Sequence, residues 1–446
     1  MSIFMPQEIV PVSFRINLNP QYRKAEKALR YTLALLQHSR GLSFETDTEI
    51  IVSDAADADI RISGLFLENY CSHRFDWRAY FREEPLIRCE DGRPDYLSTA
   101  FYMLSCLQEY GSNARDAYGR FPYEAGYQKH FAVVEKNLVN SCFDAIIKEI
   151  QKRQAVSGKE PQVSRIVLTH DIDSLFGSFP QDWLATLKNG NFKGFIRLLK
   201  ASLAHPKAKS AWNTIREILE IEGQFGFSSI FFWLPVKGKS TLDPAIKNAD
   251  YRIGSAQIRD LMQEVRSRGS VNGLHKSASH LSFSEEFERL PQDLYDKINR
   301  YHFLRFNIQN DFPVLSRNVS QDYSLGFAEE PGFRNNYSLP YPPYDVLNDR
   351  PFDFIEVPLN IMDRTLRNYK KLSPGRAQEH ILQFLESHKN DAVISILWHN
   401  QFFSPYKFKG WKPVYIRILQ YCRAHNIRPI TPEEIQKEYS INFDSL

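Results

Sequence analysis

From residue 163 onward the chain alternates short apolar runs with helical patterns, and nothing else in the sequence constrains its fold as strongly. Strands are expected at 165–169, 228–234, 270–274, 301–304, 354–357, 392–397 and 428–430. Helical patterns fall between them, at 181–224, at 255–267, after Ser282, at 377–388 and at 412–424. About seven short strands separated by helices argue for an α/β fold with a parallel sheet, closed or nearly closed into a (β/α) barrel.

The part before residue 163 reads differently. Helical periodicity at 25–37, 97–110 and 128–151, with short strands at 49–53 and 60–63, predicts a smaller mixed α+β domain over 1–155. The polar stretch 152–161, with Ser157, Gly158 and Pro161, marks the boundary with a barrel domain over 163–446. A length of 446 residues is more than one hydrophobic core usually organises, which agrees with two domains.

In such barrels the reactive residues gather at the C-terminal ends of the strands. Here one apolar run ends in Thr169-His170-Asp171-Ile172-Asp173, another in His275 with His280 close behind, a third in Arg305 and a fourth in Trp398-His399. A lone histidine or strand-end aspartate is more often structural than functional. Four strands delivering carboxylate, imidazole and guanidinium to one end shift that balance. Carboxylate with imidazole suits zinc or another divalent first-row metal. Asp171 and Asp173 stand two apart, so on an extended strand end they point the same way: one to bind metal, the other to take a proton from water.

Composition excludes other classes. Lys and Arg number 56 against 53 Asp and Glu, a net charge of +3 without a basic block, so no nucleic-acid partner is expected. Five scattered cysteines with no C-x-x-C argue against a disulfide framework and a zinc knuckle alike. The first 20 residues lack a signal-peptide pattern and no window has the length of a membrane span, so a soluble, cytoplasmic protein is expected. The run Val236-Lys237-Gly238-Lys239-Ser240-Thr241 contains Gly-Lys-Ser, but Trp233 stands where a phosphate loop needs its first glycine.

With these residues in place, the region from Val163 to the end resembles the NodB-homology polysaccharide deacetylases, also called carbohydrate esterase family 4, whose members are distorted (β/α) barrels. The resemblance maps a base aspartate onto Asp171, a metal aspartate onto Asp173 and metal histidines onto His275 and His280. It maps the arginine that braces the base onto Arg305, and the catalytic-acid histidine onto His399 in Ser395-Ile396-Leu397-Trp398-His399-Asn400. The stretches 323–334 and 355–359 are similar to one bacterial branch, and Phe101-Tyr102-Met103-Leu104-Ser105 and Asp116-Ala117-Tyr118-Gly119-Arg120-Phe121 to the uncharacterised domain that precedes the deacetylase unit there. For that domain a packing or interaction role is expected.

What the resemblance implies is metal-dependent hydrolysis of an N-acetyl group on a sugar or glycan, with zinc first among the candidate ions. Trp398, Phe402, Phe403 and Tyr344 are candidates for a sugar-stacking rim, and Arg334 for an acidic group of the substrate. One departure stands out: the family spaces its two motif histidines four apart, whereas His280 lies five after His275 and Ser279 takes the expected place. From a loop His280 could reach the metal; from a regular turn it could not. Ser282 as cap and Glu285 reaching back predict that a helix starts just after it. Two other readings stay open: an amidohydrolase acting on a small amide, and a non-catalytic glycan binder that the displaced His280 would favour.

Overall fold

The computed structural model describes residues 10–44, 49–153, 155–177, 179–188, 190–204 and 212–443. Its centre is one sheet built from β1 (Arg165–Ile172), β2 (Ser229–Trp233), β3 (Val271–Lys276), β4 (Ile298–Tyr301), β5 (Gln321–Asp322), β6 (Ile355–Glu356), β7 (Leu359–Met362) and β8 (Val393–Leu397). The spatial order is β6-β5-β4-β3-β2-β1-β8-β7, and every neighbouring pair is parallel. The two edge strands, β6 and β7, are joined by only Val357 and Pro358. A link that short spans roughly 10 Å even when extended, so the sheet has to curl until its edges meet. The Leu359 amide completes the seam by donating to the Leu325 carbonyl, 3.0 Å away, just beyond β5.

Strand alternation then sorts every residue. On β1 the even positions Ile166, Leu168 and Ile172 join the apolar layer under the helices, while Val167 packs with Ile230, Phe232, Ile298, Tyr323, Ile355 and Val393 inside the barrel. Gly273 belongs to the inner set because a Cβ there would lie 2.7 Å from Ile298 and 2.8 Å from Phe232. Ile430, Ile435 and Tyr439, on and just before the helix Pro432–Tyr439, join this inner cluster.

Two expectations shift. The strand expected at 301–304 forms upstream, at Ile298–Tyr301, because Asn299 and Arg300 are buried in it; Asn299 Nδ2 satisfies its polarity by donating to Asp322 Oδ1 at 2.6 Å. The stretch 428–430 contributes an isolated bridge from Pro429 to Ile166 rather than a strand. Strands β5 and β7 are additions to the expected set.

Before the barrel lie three parallel strands, Ser13–Asn17, Glu49–Ser53 and Ile60–Arg61, with the helices Glu26–Arg40, Tyr96–Leu104 and Leu138–Gln151. Helix Glu26–Arg40 stops where Gly41 adopts φ 55°, ψ 49°. This region is welded to the barrel: one apolar cluster runs through both, Tyr31 Oη donates to the Pro342 carbonyl at 2.9 Å and Tyr341 Oη to the Leu104 carbonyl at 3.0 Å. Within the stretch read as a linker, Val156–Ser157 pairs with Ser43–Phe44. All five cysteines are free, and among the described residues no helix is long and apolar enough to cross a membrane.

Arg334, expected to meet an acidic group of the substrate, is part of this weld instead. It is 2% exposed and donates to Glu109 from Nε at 2.8 Å and from Nη2 at 2.7 Å. Burial alone would lower the guanidinium pKa, but Glu109 outweighs it and raises it. Leaving one member of a buried pair alone is costly. Arg334→Met is expected to lose roughly 3–5 kcal/mol of stability in urea denaturation, and the double variant Glu109→Leu/Arg334→Met to recover a large part of that loss.

Candidate active site

Strand alternation also builds the site. Asp171 and Asp173 continue the inward set of β1, His275 that of β3, Arg300 and His302 that of β4 and the turn after it, and His399 that of β8. All six reach the C-terminal mouth of the barrel. They line, or in the case of Arg300 back, a cavity of about 380 Å³.

Asp173 is the hub. Its Oδ1 lies 3.3 Å from His275 Nε2 and 3.6 Å from His302 Nε2, and has no hydrogen-bond partner. Its Oδ2 accepts from Arg364 Nη2 at 2.7 Å and lies 3.7 Å from His399 Nε2. Burial would raise this carboxyl pKa, but Arg364, His302, His275 and His399 together hold it well below the usual carboxylate range. Asp173, His275 and His302 can bring one ligand atom each within 4.8 Å of one another, a set able to hold a metal ion.

The imidazoles are prepared for that role. His275 Nδ1 donates to the Arg300 carbonyl at 2.9 Å, which turns Nε2 toward Asp173; burial would lower the pKa of this ring, but Asp171 and Asp173 outweigh it and raise it. Burial pulls the His302 pKa down to about 3, with Asp173 opposing and the cationic neighbours adding, which leaves this ring neutral and free to ligate. An orphaned buried carboxylate oxygen facing two imidazole nitrogens therefore fits a divalent cation.

Beside this triad, Asp171 Oδ2 lies 3.5 Å from His275 Nε2 and Oδ1 lies 3.8 Å from Arg300 Nε. The Arg300 side chain is wholly buried, all three of its nitrogens lack hydrogen-bond partners, and the Phe232 ring lies 5.1 Å away. On the other side His399 is locked by Asp363, which accepts from its Nδ1 at 2.7 Å and from its backbone N–H at 2.6 Å. That turns His399 Nε2 toward the cavity.

The structure thus unites Asp171, Asp173, His275 and His399 and displaces the other expected residues. Arg305 stands off Asp171, its Nε donating to the Tyr118 carbonyl at 3.0 Å, and Arg300 holds the position expected for it. His280 is exposed, because Ser277 and Ser279 both turn inward onto the buried Glu286, at 2.5 and 2.8 Å, and swing the next residue outward. The capping box of Ser282 and Glu285 forms as expected. Trp398, at 0% exposure, takes the outward parity on β8 and packs on Trp411 and Tyr415 under the helices. Phe402 and Phe403 are buried there too, and Tyr344 is buried against Tyr31 and Phe101 where the two regions meet.

Four functional candidates escaped the sequence reading: Arg300, His302, Asp363 and Arg364. The signals were present. Arg300 and His302 are two apart on a strand, and the apolar run ending at Met362 is followed at once by Asp363 and Arg364.

Residues 3–155 match a family model described as a family of unknown function, DUF7033. No curated protein matches the chain. Among solved structures it is similar to the chitin deacetylase of the fungal pathogen Colletotrichum lindemuthianum, at 14% identity over 61% of this chain and 88% of that one, with a TM-score of 0.30. A Bdellovibrio bacteriovorus peptidoglycan deacetylase aligns at 12% identity over 77% of this chain and 82% of its own, with a TM-score of 0.29. The Bacillus subtilis peptidoglycan deacetylase PdaC aligns at 11% over 63% and 93%, with a TM-score of 0.27. At these identities and scores the likenesses assign neither activity nor substrate to this chain.

Two outcomes follow from the geometry. After metal loading and desalting, His275→Ala and His302→Ala are expected to lose stoichiometric metal by elemental analysis, while His280→Ala keeps it. The second concerns pH. The folded pKa of His302, about 3, lies below the ordinary 6.5, so between these values the unfolded chain binds the extra proton and stability falls as pH falls. In chelator-treated protein, moving from pH 6.5 to 4.5 should cost the wild type about 2 kcal/mol more than His302→Gln in denaturant titrations.

Proposed function

We propose that this protein is a metal-dependent deacetylase that hydrolyses N-acetyl groups of a sugar or polysaccharide precursor. The observation that carries the reading is the placement of a buried carboxylate, Asp171, and an imidazole braced by Asp363, that of His399, on either side of the Asp173–His275–His302 triad. A divalent ion held by the triad, with zinc the best match to one carboxylate and two imidazoles, would polarise the acetyl carbonyl and acidify a bound water.

The chain's own residues divide the proton work. Asp171 accepts the proton of the attacking water at its carboxylate, whose Oδ1 lies 3.8 Å from Arg300 Nε. Asp363 accepts a hydrogen bond from Nδ1 of His399 and so aims Nε2 into the cavity, where His399 serves as the acid for the departing amine. Arg364, beside Asp173 and 26% exposed, places a guanidinium in the cavity where it can meet an acidic or carbonyl oxygen of the substrate. Leu304, Ala328, Leu359, Met362 and Leu397 form one apolar cluster, and all but Leu359 line the cavity.

The displaced His280 favours a non-catalytic binder, but His302, 3.6 Å from Asp173, offers the second imidazole that His280 does not and so supports the catalytic reading. The modest cavity gives some support to the second reading, hydrolysis of a small amide. Acetate release from a panel of N-acetylated sugars, with metal content measured in parallel, separates the two. Asp171→Asn and His399→Ala are each expected to lower kcat/KM roughly 10²–10⁴-fold with the metal retained. Failure of the metal-loaded wild type to release acetate from any N-acetylated sugar would overturn the proposal, and turnover of small amides instead would put the second reading in its place.

A further inference from the structure

The cavity is not a property of the barrel alone. Tyr118 and Arg120, from the region that matches a family of unknown function, line it together with Phe303, Tyr369 and the catalytic side chains. The loop that carries them is rigidly built. Asp116 Oδ1 accepts from the backbone N–H groups of Tyr118 and Arg120, at 2.9 Å each, and Asp116 Oδ2 accepts from Arg120 Nε at 2.7 Å.

Arg120 then fastens the loop to the mouth of the barrel. Only 5% exposed, it donates from Nη1 to the Phe303 carbonyl at 3.1 Å and from Nη2 to Tyr369 Oη at 3.2 Å. Arg305 adds a tether by donating to the Tyr118 carbonyl at 3.0 Å. The barrel meets this contact at some cost: Phe303 and Leu304 follow His302 with φ of 60° and 52°, left-handed values that disfavour residues with a Cβ. The clamp on the Phe303 carbonyl therefore holds the turn that also aims His302.

What faces the cavity from this wall is aromatic. The half-buried Tyr118 and Phe303 rings lie 5.2 Å apart at 32°, the Arg120 guanidinium sits 5.0 Å from the Tyr118 ring, and Tyr369 is 41% exposed beside them. Flat, partly exposed rings with fixed neighbours present a face to the C–H side of a sugar ring while keeping a hydroxyl edge for its polar groups. A cavity of about 380 Å³ with one side closed is at the small end of ligand sites, which run from roughly 300 to 1,000 Å³. A polymer threading through would need that side open.

We propose that the N-terminal region serves as a substrate wall, in which Tyr118 stacks on the sugar next to the acetylated one and Arg120 positions it. The wall restricts the site to short saccharides or glycan ends. This rests on the deacetylase reading and extends it to substrate length.

The test uses the full chain, metal-loaded, with N-acetylglucosamine oligomers of increasing length and a soluble N-acetylated polymer as probes. Wild type should show kcat/KM that stops rising after the shortest oligomers and is at least tenfold lower per acetyl group on the polymer. Tyr118→Ala should raise KM for the disaccharide about tenfold with the loss falling on KM rather than kcat, Tyr118→Phe should restore it, and Arg120→Ala should narrow the gap between polymer and oligomer. An unchanged disaccharide KM in Tyr118→Ala, or a wild type that prefers the polymer, overturns the proposal while leaving the deacetylase reading intact. If the wild type releases no acetate, that reading fails by itself. Ligand-observed NMR of disaccharide binding then decides for the wall: weaker binding by Tyr118→Ala supports it, and equal or absent binding overturns it.

Discussion

The two-residue link Val357-Pro358 between opposite edges of the sheet is the constraint on which the rest depends. Because β6 and β7 cannot be far apart, the sheet closes, and closure gives each strand an inside and an outside. Inside, the lower layer is filled by Val167, Ile230, Phe232, Ile298, Tyr323, Ile355 and Val393, with Gly273 where no side chain fits. The upper layer is left to residues of the same parity, and these are Asp171, Asp173, His275, Arg300, His302 and His399. An open sheet would spread these groups apart. The closed one brings three imidazoles within 4 Å of a single carboxylate.

That carboxylate is stable only because of its neighbours. A buried Asp173 without Arg364 and the histidines would take up a proton, since desolvation opposes the charge. The surplus of positive partners holds it ionised, and the same surplus, with burial, keeps His302 neutral. The site therefore suits an added cation in two respects: a carboxylate oxygen is unsatisfied, and His275, its Nδ1 engaged by the Arg300 carbonyl, turns Nε2 toward that oxygen. Arg364 occupies the outer oxygen of Asp173 and leaves the inner one for a ligand role.

Much of this was legible in the sequence, and the failures share one cause. The apolar runs 165–169, 228–234, 270–274, 354–357 and 392–397 announced five strands, and the charged residues after three of them announced Asp171, Asp173, His275 and His399. Reading strands by apolar content alone misplaced β4, where Asn299 and Arg300 are buried, Asn299 Nδ2 bonded to Asp322 and Arg300 3.8 Å from Asp171, and so placed the strand end at Arg305 rather than His302. It also missed β7, whose apolar residues directly follow β6 with no helix between. Family spacing pointed to His280, but the buried Glu286, which gathers Lys276, Ser277 and Ser279, decides how that loop runs, and a tertiary partner of this kind leaves no local periodicity.

Parity also explains the residues that looked functional and are structural. His170 stands between Val167-x-Thr169 and Asp171-x-Asp173 in sequence, yet as an even residue it points outward, where Nδ1 meets the Trp398 carbonyl at 2.6 Å and Nε2 meets Glu222 at 2.8 Å. Glu222 in turn accepts from Tyr415 at 2.5 Å and Ser229 at 2.7 Å, so a buried carboxylate on the helix Ile215–Phe225 ties two strands to the helix Trp411–Ala424. Trp398 shares that outward face, and its carbonyl is one end of the same chain of hydrogen bonds. The strands β1 and β8, which carry Asp171 and His399 on their inner faces, are thus pinned to each other from behind by His170. A network that is fully satisfied and wholly buried resists displacement more than apolar packing does, because each broken bond leaves a polar group without water. The separation between Asp171 and His399 at the mouth is held from the back of the sheet, by residues that never touch the cavity.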